Sequence, residues 1–149
     1  AKGERFVDEL GLRNVVSAPF IYAMVVPFAL FDLAVSVYQW VCFPLYRIRR
    51  VNRSDYIVID RQNLNYLNIL ERLHCTYCGY ANGVIAYACE IAARTEQYWC
   101  PIKHARKVLG THARYPQFAD FGDATDYPAL VARLRAELAA EREAPPAQG

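Results

Sequence analysis

The sequence is short of several things at once, and each shortage removes a class of function. Its formal net charge is only +2, without the concentrated basic surface that neutralises nucleic-acid phosphates, so no nucleic-acid partner is expected. Its five cysteines are an odd number. There is also no charged n-region leading through an apolar stretch to a small-residue cleavage site, so a disulfide-stapled secreted domain is not expected. Reduced thiols on a cytoplasmic face fit better. No internal repeat is present, and no acid/base or nucleophile pair stands out. The sequence therefore identifies no reaction.

Charge is scarcest between Arg13 and Arg47, where Asp32 is the sole charged side chain. As one helix this stretch would run ~50 Å, against a hydrocarbon core of about 30 Å. Residues 14–46 are read as a membrane anchor in two parts. Asn14 to Phe31 is almost wholly apolar and reads as lipid-buried. From Asp32 to Tyr46, the residues Asp32, Ser36 and Gln39 share one helical face opposite Leu33, Val37, Trp40 and Val41, which reads as an interfacial helix. Either the first part crosses the bilayer and the chain bends near Asp32, or the segment enters and returns as a re-entrant hairpin. Arg47, Arg49, Arg50 and Arg53 follow directly, a membrane-edge pattern that places the C-terminal domain in the cytoplasm, with Trp40 at the interface. Asp32 is either a functional intramembrane acid or a member of the interfacial polar stripe.

The remainder reads as a small helical domain, making the chain mainly α. The divisions are a tail at 1–13, the anchor at 14–46, a metal-binding helical domain at 47–126, a helix at 127–142 and a disordered tail at 143–149. Tyr56 to Ile59 is a brief strand or extended connector. Asp60 caps a helix through about 74, and Asn82-Gly83 forms a turn. Val84, Tyr87, Ala88 and Ile91 begin the apolar stripe of a second helix through Trp99. Pro101 opens a third helix ending at Gly110. Asp126 and Pro128 start a last one with Leu130, Leu134 and Leu138 as its stripe.

Cys75-Thr-Tyr-Cys78-Gly79-Tyr80 carries the chemistry of the domain. Two thiols separated by two residues and followed by Gly can close a knuckle around one ion. The string is similar to the knuckles of rubredoxins and zinc ribbons, although those use two and this chain has one. Cys100 and His104, four residues apart, complete a four-ligand set if the third helix begins near Cys100. Cys89 is left as a buried thiol. Three thiolates and an imidazole suit zinc; the alternative is an iron centre or iron-sulfur cluster in a membrane redox component, and ordinary reduced thiols are the simplest reading. A thioredoxin-type role is disfavoured because the pair follows a helix C-terminus. Glu71 and His74 have the Glu-x-x-His spacing of di-iron bundles without a second copy. Arg94, Glu96, Lys103 and Arg106 form either an ion-pair shell or a solvated face.

From about Asp55 to His112, and above all in Cys75-Thr-Tyr-Cys78-Gly-Tyr-Ala-Asn-Gly83 and Ala93-Arg-Thr-Glu-Gln-Tyr-Trp-Cys-Pro-Ile-Lys-His-Ala105, the chain resembles a family of uncharacterised bacterial membrane-associated proteins. The resemblance implies a bacterial source and an anchor joined to a cysteine-rich domain. Together these readings describe an adaptor or accessory subunit in the bacterial inner membrane, touching lipids and membrane protein subunits.

Overall fold

A computed structural model describes residues 11–146 and, for Gln62, the backbone only. The expectations for the tail before Gly11 and for 147–149 lie outside these residues. The chain is mainly helical: α1 is Leu12–Ala23, α2 Val25–Tyr46, α3 Ile69–Trp99 and α4 Tyr127–Glu143. Among the described residues there is no strand, only an isolated bridge between Ile102 and Ala119. Tyr56 to Ile59 is therefore a connector. Two compact units emerge, one from 11–34 and 52–87, the other from 35–51 and 88–146. Both α2 and α3 contribute residues to each unit.

In the first unit, α1 passes into α2 at Met24. Pro27 has no N–H to give to the carbonyl of Ala23, so the helix is interrupted there. Met24 keeps helical torsions (φ −66°, ψ −18°). Its N–H reaches the carbonyls of Phe20 and Ile21, and its own carbonyl accepts from Phe28 at 3.2 Å. Helical bonding thus continues across the break, and the chain makes neither a hairpin turn at Met24 nor the expected bend at Asp32, which lies inside α2.

The helix expected from Asp60 starts later. Asp60 precedes only a 3-10 turn, Arg61–Asn63. The start of α3 is a capping box: Asn68 Oδ1 accepts the Glu71 N–H and Glu71 Oε2 accepts the Asn68 N–H, both at 2.8 Å. Two otherwise orphaned donors are satisfied reciprocally, so the helix is anchored at that point. From there α3 continues through Cys75, Cys78, Gly79, Asn82 and Gly83. Neither the knuckle nor the Asn82-Gly83 turn forms. The Asn82 side chain bonds back to the Cys78 carbonyl at 2.9 Å, a helical i−4 contact. Gly83 serves close approach: a Cβ there would lie 2.8 Å from the Tyr56 carbonyl oxygen and 2.9 Å from Ile57 Cα. The connector is thereby seated directly on the helix backbone.

In the second unit, α2 ends in a Schellman motif whose left-handed residue is Arg47 (φ 57°) rather than glycine. The Ile48 N–H reaches the Phe43 carbonyl at 2.9 Å, and Phe43 and Ile48 are both buried, giving the hydrophobic contact that accompanies this cap. The stripe of Ala88 and Ile91 packs into the core of this unit together with Phe118, Leu134 and Leu138. Leu134 and Leu138 are the inner face of α4, as their spacing requires, while Leu130 is half-buried. No helix forms over 101–109. A proline disfavours the helical region for the residue before it, and the chain runs extended instead, with the Lys103 N–H on the Ala119 carbonyl at 2.7 Å and the Ala119 N–H on the Pro101 carbonyl at 2.8 Å. At the far end, Glu143, expected to open a disordered tail, is still helical, and the Ala144 N–H bonds the Ala140 carbonyl.

Candidate functional site

The helix from Leu12 to Tyr46 is long and apolar enough to cross a membrane, and only 6% of its most apolar window is buried. It is therefore not the core helix of the domain. Phe20 is 74% exposed, Leu33 63%, Trp40 64% and Leu45 74%. The polar residues of the same helix point the other way, with Asp32 and Gln39 both buried. The sequence stripe is real: its polar side faces protein rather than water, and its apolar side is open.

Each buried polar group on that helix has a specific partner. Asp32 accepts two hydrogen bonds from Arg53, at 3.0 Å from Nε and 2.5 Å from Nη2, and one from the Tyr80 hydroxyl at 2.9 Å. The Arg53 guanidinium is held charged chiefly by its hydrogen bonds to Asp32. Burial, and then the neighbouring Asp32, pushes the Tyr80 hydroxyl above its ordinary pKa. In the other unit, Gln39 Nε2 donates to the Val51 carbonyl at 3.2 Å and its Oε1 accepts the Val51 N–H at 2.9 Å. The side-chain amide thus pairs with the backbone as a neighbouring chain would, which removes the cost of burying it.

The arginine cluster is largely committed to protein contacts. Pro44 leaves the Trp40 carbonyl without its helical donor, and Arg50 supplies one at 3.3 Å while its guanidinium lies 5.9 Å from the centre of the Trp40 ring. Arg49 donates to the Ala144 carbonyl. Arg47 is the exposed left-handed cap.

Cys75 and Cys78 lie one turn apart on α3, Cys100 just beyond its end, and His104 in the extended segment that follows. Among the described residues no group of three or more His, Cys, Asp or Glu side chains is brought together. The His104 ring stacks on Tyr115, and the His104 backbone N–H donates to the Tyr115 hydroxyl at 2.9 Å. Cys89, expected to be buried, is exposed, as are Cys78 and Cys100. Glu71 acts as a cap, and His74 packs beside Tyr22 with ring centres 6.2 Å apart.

No protein-family model, curated protein or solved structure matches the chain.

The second unit contains a cluster whose hub the residue spacing did not reveal. Arg114 donates to Gln97 Oε1 at 2.9 Å, to both Glu141 oxygens at 3.0 and 2.9 Å, and to Glu90 Oε1 at 3.3 Å. Arg94 shares Glu90 at 2.9 Å and also reaches the Arg49 carbonyl. Burial alone would lower the Arg114 pKa, but Glu141 and Glu90 outweigh it and raise it. Glu96 pairs with His112 at 2.7 Å and Lys103 with Asp120 at 3.0 Å. Arg94, Glu96 and Lys103 thus each have an ion-pair partner, and Arg94 shares Glu90 with Arg114. Since every carboxylate in it has a cationic or imidazole partner, the cluster fastens the 100–126 segment to α3 and α4.

Proposed function

We propose that this protein is a membrane-seated, non-enzymatic adaptor or accessory subunit, held by the outward face of Leu12–Tyr46. The observation that carries the reading is the helix's inverted polarity. A water-soluble helix buries its apolar stripe and solvates its polar one; this one buries Asp32 and Gln39 and leaves Phe20, Leu33, Trp40 and Leu45 open. An apolar surroundings is the medium in which that arrangement is favourable, since each large side chain gains about 1.5–3 kcal/mol on leaving water.

Seating along the interface suits the first unit better than a transverse crossing. Leu70, His74 and Tyr77 of α3 lie beside Asn14 to Tyr22 of α1. A transverse α1 would carry Glu71 and Arg72 to hydrocarbon depth with it, at roughly 2.5–3.5 kcal/mol for a charged residue there. We place the remainder of the chain on the cytoplasmic side of a bacterial inner membrane, where membrane protein subunits are its partners.

The test is flotation with phosphatidylethanolamine/phosphatidylglycerol vesicles. The parent protein should float and resist carbonate extraction, and the Leu33→Glu/Val37→Glu variant should stay in the soluble fraction with unchanged helix content. A parent protein that remains soluble without vesicles and does not float refutes the reading.

A further inference from the structure

Residues 104–111 of the second unit form a loop that is exposed along its whole length. Both of its feet rest on one side chain. The His104 ring stacks on Tyr115 and the His112 ring meets the same tyrosine edge-on, with centroids 6.3 and 6.0 Å away. The His104 backbone N–H also donates to the Tyr115 hydroxyl, and His112 pairs with Glu96. Just before the first foot, the Lys103 N–H is tied to the Ala119 carbonyl and its ammonium to Asp120. A short loop whose ends close on a common anchor is held as one piece, so its tip stands on a fixed stem.

That tip is apolar. Leu109 is 86% exposed, more than any other large hydrophobic side chain among the described residues, and Val108 is exposed beside it. Gly110 turns the chain with a left-handed torsion (φ 72°), in open space. Arg106 and Lys107 come directly before the apolar pair; both are exposed, and among the described residues neither makes a hydrogen bond or an ion pair. Water solvates the two cations but not Val108 and Leu109. An anionic lipid surface satisfies all four, taking the apolar pair into its acyl boundary and the cations among its phosphates.

The stem also fixes where the loop leaves the domain. Glu96, which holds the foot at His112, and Trp99 are i, i+3 neighbours on α3 and share a face. Trp99 is exposed and packs edge-on against Tyr46, in the last turn of the long apolar helix and next in sequence to the exposed Leu45. The loop therefore emerges beside the end of the surface assigned to lipid.

We propose that the 104–111 loop is a second membrane contact, in which Val108 and Leu109 enter the acyl boundary and Arg106 and Lys107 bind the phosphates of anionic phospholipid. The open face of Leu12–Tyr46 supplies attachment, and the loop supplies selection of the headgroup. The inference rests on the membrane seating for the surface that the loop meets.

The chain has two tryptophans, so Trp40→Phe/Trp99→Phe/Leu109→Trp carries one indole, at the loop tip. This full-length variant is bound to vesicles with brominated acyl chains, made of phosphatidylcholine alone or mixed with phosphatidylglycerol. With phosphatidylglycerol, bromine should quench the indole and acrylamide should lose access to it; with phosphatidylcholine alone the quenching should be weak. Adding Arg106→Gln/Lys107→Gln should weaken the phosphatidylglycerol-dependent titration about 30-fold at low salt, roughly fivefold for each cation, whereas Arg106→Lys/Lys107→Arg should preserve it. Every replaced side chain is exposed, and unchanged helix content checks the fold. An indole left unquenched with phosphatidylglycerol, equal quenching on both vesicles, or a glutamine pair that responds like the parent overturns the proposal. In any of those cases, a parent protein that floats on both vesicles keeps the helix seating. A parent that floats only with phosphatidylglycerol, and ceases to float with the glutamine pair, refutes the seating and leaves the loop contact standing.

Discussion

Replacing Gly83 with alanine separates a helix from a turn and measures how tightly the connector is seated. In the middle of an unobstructed helix, Gly→Ala stabilises by roughly 0.5–1 kcal/mol, because glycine has more backbone freedom to lose. At Gly83 the added Cβ would sit 2.8 Å from the Tyr56 carbonyl oxygen and 2.9 Å from Ile57 Cα. Both obstacles are backbone, so the 56–57 segment must move as a whole. Overpacking costs about 1–3 kcal/mol, and with two backbone contacts under 3.0 Å the upper half of that range applies, so after the propensity gain a net loss of about 1–2 kcal/mol remains. Gly79, one turn earlier on α3, is the internal control: its nearest Cβ neighbour is the Val58 carbonyl oxygen at 3.5 Å, an ordinary contact, so Gly79→Ala should stabilise. Thermal unfolding in detergent, followed by far-UV circular dichroism, should show Gly83→Ala lowered by about 2–8 °C and Gly79→Ala raised by about 1–4 °C, at roughly 2–4 °C per kcal/mol for a chain of this size. If the two variants shift upward together, the connector does not rest on the helix at Gly83. If both fall by several degrees, the residues from 79 to 83 are not helical.

Three further outcomes are expected. Arg114→Ala should destabilise by about 2–4 kcal/mol in the same unfolding assay, because it strips the buried Gln97 oxygen and the Glu90 and Glu141 carboxylates of a shared donor; a loss below half a kcal/mol would mean the hub is solvated. Tyr80 has its pKa raised by burial and by Asp32, so its stabilising contribution is complete below the unfolded value near 10 and is lost as pH rises toward the higher folded value; Tyr80→Phe should flatten that alkaline decline, and an unchanged slope counts against the Asp32 contact. The helix through Cys75 and Cys78 predicts well under one zinc or iron per chain in anaerobically purified protein, with Cys78→Ser and Cys100→Ser melting close to the parent. One tightly held zinc, or a brown iron-containing preparation that loses its metal with Cys78→Ser, would restore the four-ligand centre of Cys75, Cys78, Cys100 and His104.

How far the sequence reached differs from element to element. The stripe Leu134 and Leu138 on α4 and the stripe from Val84 to Ile91 on α3 were legible because helical spacing of apolar residues directly encodes a buried face. The uninterrupted α3 was not. Cys-x-x-Cys-Gly and Asn-Gly are local turn signals, and locally they argue correctly. They are overruled where a connector from earlier in the chain presses on Gly83, a contact that no window of neighbouring residues contains. Arg114 was missed for a related reason: its partners Glu90 and Glu141 lie 24 and 27 positions away, and no spacing rule joins them.

By itself, the sequence determined that the chain would be helical, that residues 14–46 would form an apolar segment with a polar stripe at Asp32, Ser36 and Gln39, and that the thiols would be unpaired. Periodicity and composition are local quantities, and these properties follow from them. The tertiary structure alone decided which way the stripe points, because orientation depends on what lies opposite: Arg53 and Tyr80 against Asp32, and the Val51 backbone against Gln39. Turning the polar side inward satisfied those groups within the protein. It also left the apolar side of Leu12–Tyr46 as the open surface, because a helix that buries one face must present the other.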